Sequence, residues 1–386
     1  IYREIVQYFT CRKSKVYSVL LDASKAFDKV HFGKLFNLLL DRGIPPAVVR
    51  VLLDNYTRQT LATQWGFSRS DPFNVLNGVK QGGILSPILF TLYVDELLNR
   101  LRNCNCGCYF QNVFAGALCY ADDITLISPS LRGLNVMVST CERFAEEFYL
   151  TFNAKKSVAI YYGCRDRPAG SVALNNESIP WSTKCVHLGH VITNDLKFDS
   201  DVSAKISSFV SSVNRLIGNF GNNHYATLRR LFNAYCSCFY GSQLWLVDSR
   251  NEARAGVAWN KAVRRVFALP RRSHTRLLGP LLGQPHLTKQ IHSRVFKFCK
   301  SLLDVNNILV NTIARKQFFD ARSSIGHNIA RLRELYSVSP LFHNYDYARS
   351  IIYDARLSEF DAWQSNYLIE LILGREGTLH IPLDCE

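Results

Sequence analysis

No run in this sequence approaches the roughly 18 to 20 apolar residues needed to cross a bilayer. The first residues, Ile1-Tyr2-Arg3-Glu4, lack the apolar core of a secretory leader. Neither a membrane setting nor an exported product is therefore expected. Acids are also scarce, 31 against 46 Lys and Arg, leaving a net charge of +15. The deficit is sharpest between Arg250 and Lys300, where twelve basic residues share the stretch with one acid, Glu252. Basic side chains gain affinity for polyanions by releasing the counterions condensed on phosphates, so this stretch reads either as a nucleic-acid face or as a solvated basic one.

Paired-cysteine patterns are missing as well. Twelve cysteines without an export signal read as reduced thiols rather than a disulfide framework. Cys104, Cys106 and Cys108 form the one cluster, and alternate spacing puts all three on one face of a strand. No His or Cys-x-x-Cys lies close by, so they read as buried or half-buried thiols in preference to a zinc site. What is present is apolar: 386 residues, 47% hydrophobic and 12% aromatic, can bury the cores of two or three domains. The chain begins on Ile1 and closes on Asp384-Cys385-Glu386 with no evident cap, so both ends read as cuts in a longer frame.

The pattern along the chain is mixed. Val16 to Leu21 is β-branched, aromatic and apolar, a buried strand that runs into Asp22. Leu35, Phe36, Leu38 and Leu39 recur at helical spacing before Gly43, and Pro45-Pro46 opens a second helix. Short strands are expected over 60–67 and 73–79, then a helix from Ser86-Pro87. Two apolar strands, 117–120 and 124–127, flank Ala121-Asp122-Asp123, a tight hairpin with acids at its tip. An amphipathic helix from Leu131 to Phe148, a strand over 156–162 and a hairpin turning at Asn175-Asn176 follow. Helical stripes begin at Asp199, continue through Trp259, Val263 and Phe267 to Pro270, and dominate beyond Asn311 without a sharp motif. The fold class read from this order is α+β, an antiparallel sheet with helices on one face, followed by helical regions.

Chemistry centres on Asp22 and the pair Asp122-Asp123, because this topology can set the strand end beside the hairpin tip. Carboxylates about 4 Å apart repel by roughly 4 kcal/mol per pair at an effective dielectric of 20, so a site that keeps them ionised calls for divalent cations, and hard oxygen ligands suit Mg²⁺. Two such ions about 3.5 to 4 Å apart activate a hydroxyl and neutralise a leaving pyrophosphate, which is nucleotidyl transfer. Alone, an Asp-Asp pair in a hairpin is more often an ordinary exposed turn.

The wording around these acids resolves the choice. Leu21-Asp22-Ala23-Ser24-Lys25-Ala26-Phe27-Asp28, Gly78-Val79-Lys80-Gln81-Gly82-Gly83-Ile84-Leu85-Ser86-Pro87 and Tyr120-Ala121-Asp122-Asp123 stand in that order and resemble motifs A, B and C of reverse transcriptases, in the phrasing of the non-LTR (LINE-like) retrotransposon branch. Asn153-Ala154-Lys155-Lys156-Ser157 is similar to motif D, and His187-Leu188-Gly189-His190 to motif E. The likeness runs from about Val16 to Val191 and is looser in the helical region beyond.

The resemblance implies a right-hand polymerase: a ferredoxin-like palm over 1–198, a helical thumb over 199–250 and a basic helical C-terminal region over 251–386. It implies RNA-directed DNA polymerase activity as used in target-primed reverse transcription, with two Mg²⁺ ions, or Mn²⁺ as a substitute, held by Asp22, Asp122 and Asp123. Ala23, Phe27, Gln81 and Gly82 would face the incoming nucleotide. Phe27 would be a steric gate against a ribose 2′-hydroxyl, although a plain core Phe is the competing reading. Gln81 would donate from its amide and Gly82 would allow close backbone approach. Lys156 would serve the leaving pyrophosphate, with Lys155 as rival. Tyr120, Leu188 and Gly189 would press on the primer, and Lys261, Arg264, Arg265, Arg271 and Arg272 would bind nucleic acid. Implied partners are an RNA template, a DNA primer or target DNA, and dNTPs, in an intracellular setting at nuclear DNA.

Two departures qualify the likeness. In the family a basic fingers region precedes motif A, yet only 21 residues stand before Asp22, so most of the fingers are expected elsewhere. No second acidic constellation or Cys/His knuckle marks an endonuclease. The competing hypothesis is a non-catalytic nucleic-acid-binding remnant, in which the palm persists as scaffold.

Overall fold

The computed structural model describes residues 1–163, 166–237 and 239–335. They form two compact units, residues 1–189 with 193–196 and residues 190–192 with 197 onward.

The first unit is built on a five-stranded sheet centred on Val16–Asp22. Val158–Tyr162 and Asp123–Ser128 flank it, both antiparallel; Ala117–Tyr120 lies beyond the latter, and Trp181–Ser182 adds a short parallel edge. Successive strand side chains point to opposite faces. Val19 and Leu21 therefore enter one core with Leu35, Leu89, Leu134, Val138 and Phe144 from the helices Phe32–Asp41, Ser86–Asn103 and Leu131–Glu147. This is the expected palm layering of a sheet under helices. Tyr93, fully buried there, donates its hydroxyl to the Phe148 carbonyl at 2.6 Å and accepts from the His31 amide, so its polar atom is satisfied.

The opposite face carries a helix that periodicity did not single out, Tyr2–Thr10, which packs on the first strand. Tyr2 shares a 2.8 Å hydroxyl hydrogen bond with Tyr162, and Ser18, fully buried on this face, donates to the Leu126 carbonyl.

The region expected as strands over 60–67 and 73–79 is two short ladders instead, Thr60–Leu61 with Phe73–Asn74 and Gln64–Trp65 with Ser68–Arg69. Past Asn74 the chain leaves the ladder and docks on the loop after Asp22. Gly78, at φ 98°, lies so close to Asp28 that a Cβ would come within 2.9 Å of its backbone. Asn175 and Asn176 take φ of 51° and 63°, the two positive values a tight hairpin requires, between Val172–Leu174 and Glu177–Ile179.

The second unit is helical: Asp199–Phe220, Tyr225–Tyr235, Arg250–Val266, Leu287–Asp304, Ile308–Gln317 and Ser324–Leu335 are its main elements. Phe209, Phe232 and Trp245 share one core with Trp259, Leu287 and Ile291. The boundary expected at residue 250 falls inside this core, because the helices on its two sides bury their apolar stripes against each other. Residues 336–386 of the expected C-terminal region lie outside the described residues. Ser249 caps Arg250–Val266 by accepting from the Glu252 amide, and the Glu252 carboxylate turns back to the Asp248 amide. The buried Glu252 carboxylate also meets His292 Nε2 at 2.9 Å. No helix among the described residues is long and apolar enough to cross a membrane.

Candidate active site

Strand register decides where the acids lie. Asp22 is the last residue of the central strand and stands directly across from Asp123, the first residue of its neighbour. Asp123 in turn faces Tyr120 on the next strand. Directly opposed antiparallel residues project to one face with Cβ atoms about 4.5 to 5.5 Å apart, so Asp22 and Asp123 form a like-charged cross-strand pair. Asp122 sits in the hairpin turn beside Ala121, whose φ of 52° makes the reversal tight. Alternation puts the Asp22–Asp123 pair on the face away from the main helical core. Asp22 is half-buried, and Asp122, Asp123 and Tyr120 are exposed.

The electrostatics fit that placement. The Asp123 carboxyl is raised above its ordinary range by partial burial first, then by the charges of Asp122 and Asp22. Both charges that raise it are acidic, so Asp123 sits in locally negative surroundings. Among the described residues no three His, Cys, Asp or Glu side chains are drawn together as a finished metal cage. The donor set is nonetheless hard oxygen with its charge unbalanced, which suits a divalent cation such as Mg²⁺.

The loop after Asp22 and the loop before Ser86 are tied into one wall. The Gly78 amide donates to Val30 O and the Val79 amide to Phe27 O, both at 2.8 Å. Gln81 Nε2 donates to Asp28 Oδ1 at 3.3 Å. Phe27 is half-buried and stacks on Phe90, ring centroids 4.6 Å apart and 13° from parallel. Gly82, at φ 79°, has open space where a side chain would stand. Ala23 bridges to Phe152, which brings in the turn that carries Lys155 and Lys156. Both lysines are exposed, and Asn153 Oδ1 accepts from both backbone amides.

Leu188 and Gly189 follow the strand Lys184–His187 with φ of 47° and 75°, a tight left-handed reversal. His187 Nδ1 lies 3.5 Å from Thr125 Oγ1, two residues along the strand from Asp123. Phe90, Asn153, Ser157 and His187 are thus parts of this neighbourhood to which residue reading assigned no role. Their contacts are between distant segments, and the nearest signal was the Asn-x-x-x-Ser spacing itself.

Of the five basic residues singled out, Lys261, Arg265, Arg271 and Arg272 are exposed. Arg264 is the exception. It is half-buried, and its Nε and Nη2 both donate to the Ser273 carbonyl at 3.2 and 2.8 Å, so it closes the loop after its helix rather than facing solvent. Arg250 and Arg254, which residue reading left without a role, join Lys261 and Arg265 around a groove of about 630 Å³ floored by Ile206, Val210 and Val257. Cys108 is buried, and the half-buried Cys104 and Cys106 thiols donate to the Leu101 and Cys104 carbonyls.

A profile described as reverse transcriptase (RNA-dependent DNA polymerase) matches residues 3–192. The Retrovirus-related Pol polyprotein from type-2 retrotransposable element R2DM of Drosophila melanogaster is 32% identical over 152 residues, 39% of this chain and 14% of that protein. A Pol polyprotein from a type-1 element R2 of Popillia japonica is 30% identical over 155 residues, 38% of this chain and 25% of that protein. The RNA-directed DNA polymerase from mobile element jockey of Drosophila funebris is 21% identical over 335 residues, 83% of this chain and 36% of that protein. The chain thus spans a quarter or less of these two R2 proteins. Among solved structures, apo telomerase from Candida tropicalis aligns with TM-score 0.41 and 13% identity over 85% of this chain and 56% of that one.

Proposed function

Since residues 3–192 of this chain belong to the reverse transcriptase family, we propose that its parent protein is the RNA-directed DNA polymerase of a non-LTR retrotransposon. In this reading it copies an RNA template by transferring nucleotidyl groups from dNTPs to a primer 3′-hydroxyl, in target-primed reverse transcription at nuclear DNA. The observation that carries the proposal is the cross-strand pairing of Asp22 with Asp123, beside Asp122.

Asp22, Asp122 and Asp123 hold the metal site. Two bound Mg²⁺ ions, or Mn²⁺ in their place, would supply activation of the primer hydroxyl and neutralisation of charge on the departing pyrophosphate. The chain's own groups do the positioning. Phe27, braced by Phe90, bounds the sugar pocket; Gln81, held by Asp28, offers its amide to the nucleotide; Gly82 leaves room for close approach. The exposed ammonium of Lys156 is the group to serve the pyrophosphate, and Tyr120, Leu188 and Gly189 bear on the primer. The test is primer extension on an RNA template by the full-length parent protein with added Mg²⁺. Template binding without extension at any Mg²⁺ concentration would leave the non-catalytic remnant as the better account.

Phe27→Ala opens the sugar pocket, so the preference for dNTP over rNTP, read as the ratio of kcat/KM values, falls by about 10- to 100-fold, the scale on which a pocket discriminates a single small group. An unchanged ratio would make Phe27 a core residue only. In the second unit, changing Lys261, Arg265, Arg271 and Arg272 to Ala reduces the salt slope of nucleic-acid binding by up to about 3 to 4, since each phosphate contact contributes about 0.9. Arg264→Ala affects stability more than this slope, because its guanidinium is already engaged.

A further inference from the structure

The central strand loses its partner where its function begins. Val158–Tyr162 pairs with it from Val16↔Tyr162 to Leu20↔Val158. Two residues further that register would set Lys156 against Asp22, but the chain turns away through Asn153 to Ser157. The Asp22 amide and carbonyl on this edge would then be left unpaired beside a half-open site. They are not: the Asp22 amide donates to Ser157 Oγ at 3.1 Å, and the Asp22 carbonyl accepts from the Asn153 amide at 2.9 Å.

Ser157 is fully buried, and its hydroxyl is used twice. It accepts from Asp22 and donates to the Asn153 carbonyl at 2.7 Å, while the Ser157 amide donates to the same carbonyl at 2.9 Å. Asn153 Oδ1 meanwhile accepts from the amides of Lys155 and Lys156. One side-chain oxygen and one backbone amide thereby stand in for the missing ladder and tie the lysine turn to the backbone of an acidic residue in the site.

We propose that Ser157 is a positioning residue: its buried hydroxyl fixes the backbone of Asp22, and with it the geometry in which the three carboxylates take a divalent cation. The assignment rests on the polymerase reading of the site. Asn153 completes the clamp from the other side of the Asp22 peptide. Thr at 157 keeps the hydroxyl, Ala removes it, and Cys replaces it by a thiol that hydrogen-bonds weakly. Misplacement of a catalytic group by about 1 Å is enough to cost on the order of 10²-fold in rate.

The experiment compares the full-length parent protein carrying Ser157→Ala, Ser157→Thr, Ser157→Cys or Asp22→Asn with the unaltered protein. Three quantities are read: Tb³⁺ luminescence on titration without nucleotide or template, the Mg²⁺ concentration for half-maximal primer extension, and the melting temperature. Ser157→Ala is expected to weaken Tb³⁺ binding and raise the Mg²⁺ requirement several-fold, with Ser157→Thr within about 3-fold of the unaltered protein. Should Ser157→Ala fail to fold, the contrast of Thr with Cys reads the same property. Equal metal requirements in the Thr and Cys proteins, or an Ala protein that loses melting temperature alone, would overturn the positioning role. If Asp22→Asn also leaves Tb³⁺ binding and extension unchanged, the polymerase reading of the site has failed, and the positioning role that rests on it is overturned with it.

Discussion

Asp123→Ala in the full-length parent protein is expected to lower primer extension by about 10³-fold or more, with template–primer binding retained. The size follows from the several kcal/mol of charge stabilisation that a metal-held site supplies, at about 1.4 kcal/mol per tenfold in rate. Asp123 is the right position for the test because it faces Asp22 across the ladder and its surroundings are unfavourable to its own charge. An Asp123→Ala protein that extends primers normally would remove the carboxylates from the mechanism.

The same geometry gives opposite signs for stability and activity. Partial burial, Asp122 and Asp22 raise the folded-state Asp123 carboxyl above its ordinary value. A group raised on folding holds its proton more tightly in the native state, so the stability it contributes is present at low pH and lost as pH rises through the folded value. At neutral pH and without metal, Asp123→Asn therefore melts at a higher temperature than the unaltered protein while losing extension. Added Mg²⁺ reverses the order, because only the full carboxylate set gains from the cation. Differential scanning calorimetry with and without Mg²⁺ reads both signs.

The second large effect belongs to the helical unit. Asp201, almost fully buried near the start of Asp199–Phe220, accepts from Trp245 Nε1 at 3.1 Å and the Val191 amide at 3.0 Å, and meets His190 Nδ1 at 3.3 Å. Burial alone would raise its carboxyl, but these contacts outweigh it and hold it below the ordinary value. Asp201→Ala strands three polar groups and is expected to cost about 3 to 5 kcal/mol. In a unit of this size that is roughly 10 °C in Tm, read by the melting of its buried tryptophans. Asp201→Asn keeps one acceptor and falls between. Because the folded value is depressed, Asp201 stabilises the unit above its unfolded value and ceases to do so as pH falls through the folded one, so the difference between the unaltered and Asp201→Asn proteins vanishes in strong acid. A difference that persists there would mean packing, not charge, sets the cost.

Much of this arrangement was legible in residue order. The run from Val16 into Asp22, the strands either side of Ala121-Asp122-Asp123 and the stripes of Leu131–Glu147 and Asp199–Phe220 are period-2 and period-3.6 signals strong enough to be read without a partner. Other features were hidden for different reasons. Tyr2, Ile5 and Val6 are buried on one helical stripe, but the short segment at the head of the chain carried too few repeats to stand out. The 73–79 stretch has the composition of a strand, yet Gly78 diverts it into a docking loop. Arg264 looks like its neighbours in the basic run, and only the return of the chain to Ser273 occupies it. The Ser157–Asp22 contact joins segments 135 residues apart, a distance over which local pattern carries no information.

The order of the sheet also sets a timetable for biosynthesis. Among the described strands of this sheet the central one leaves the ribosome first, and its neighbours follow only at 123–128 and 158–162. At about 5 to 20 residues per second, roughly 5 to 30 s pass before both edges are paired. Until Asp123–Ser128 emerges Val16–Asp22 offers two bare hydrogen-bonding edges, and one of them stays bare until Val158–Tyr162 follows. Slowed translation just upstream of Val158–Tyr162 is therefore expected to lengthen the exposure of that edge to aggregation.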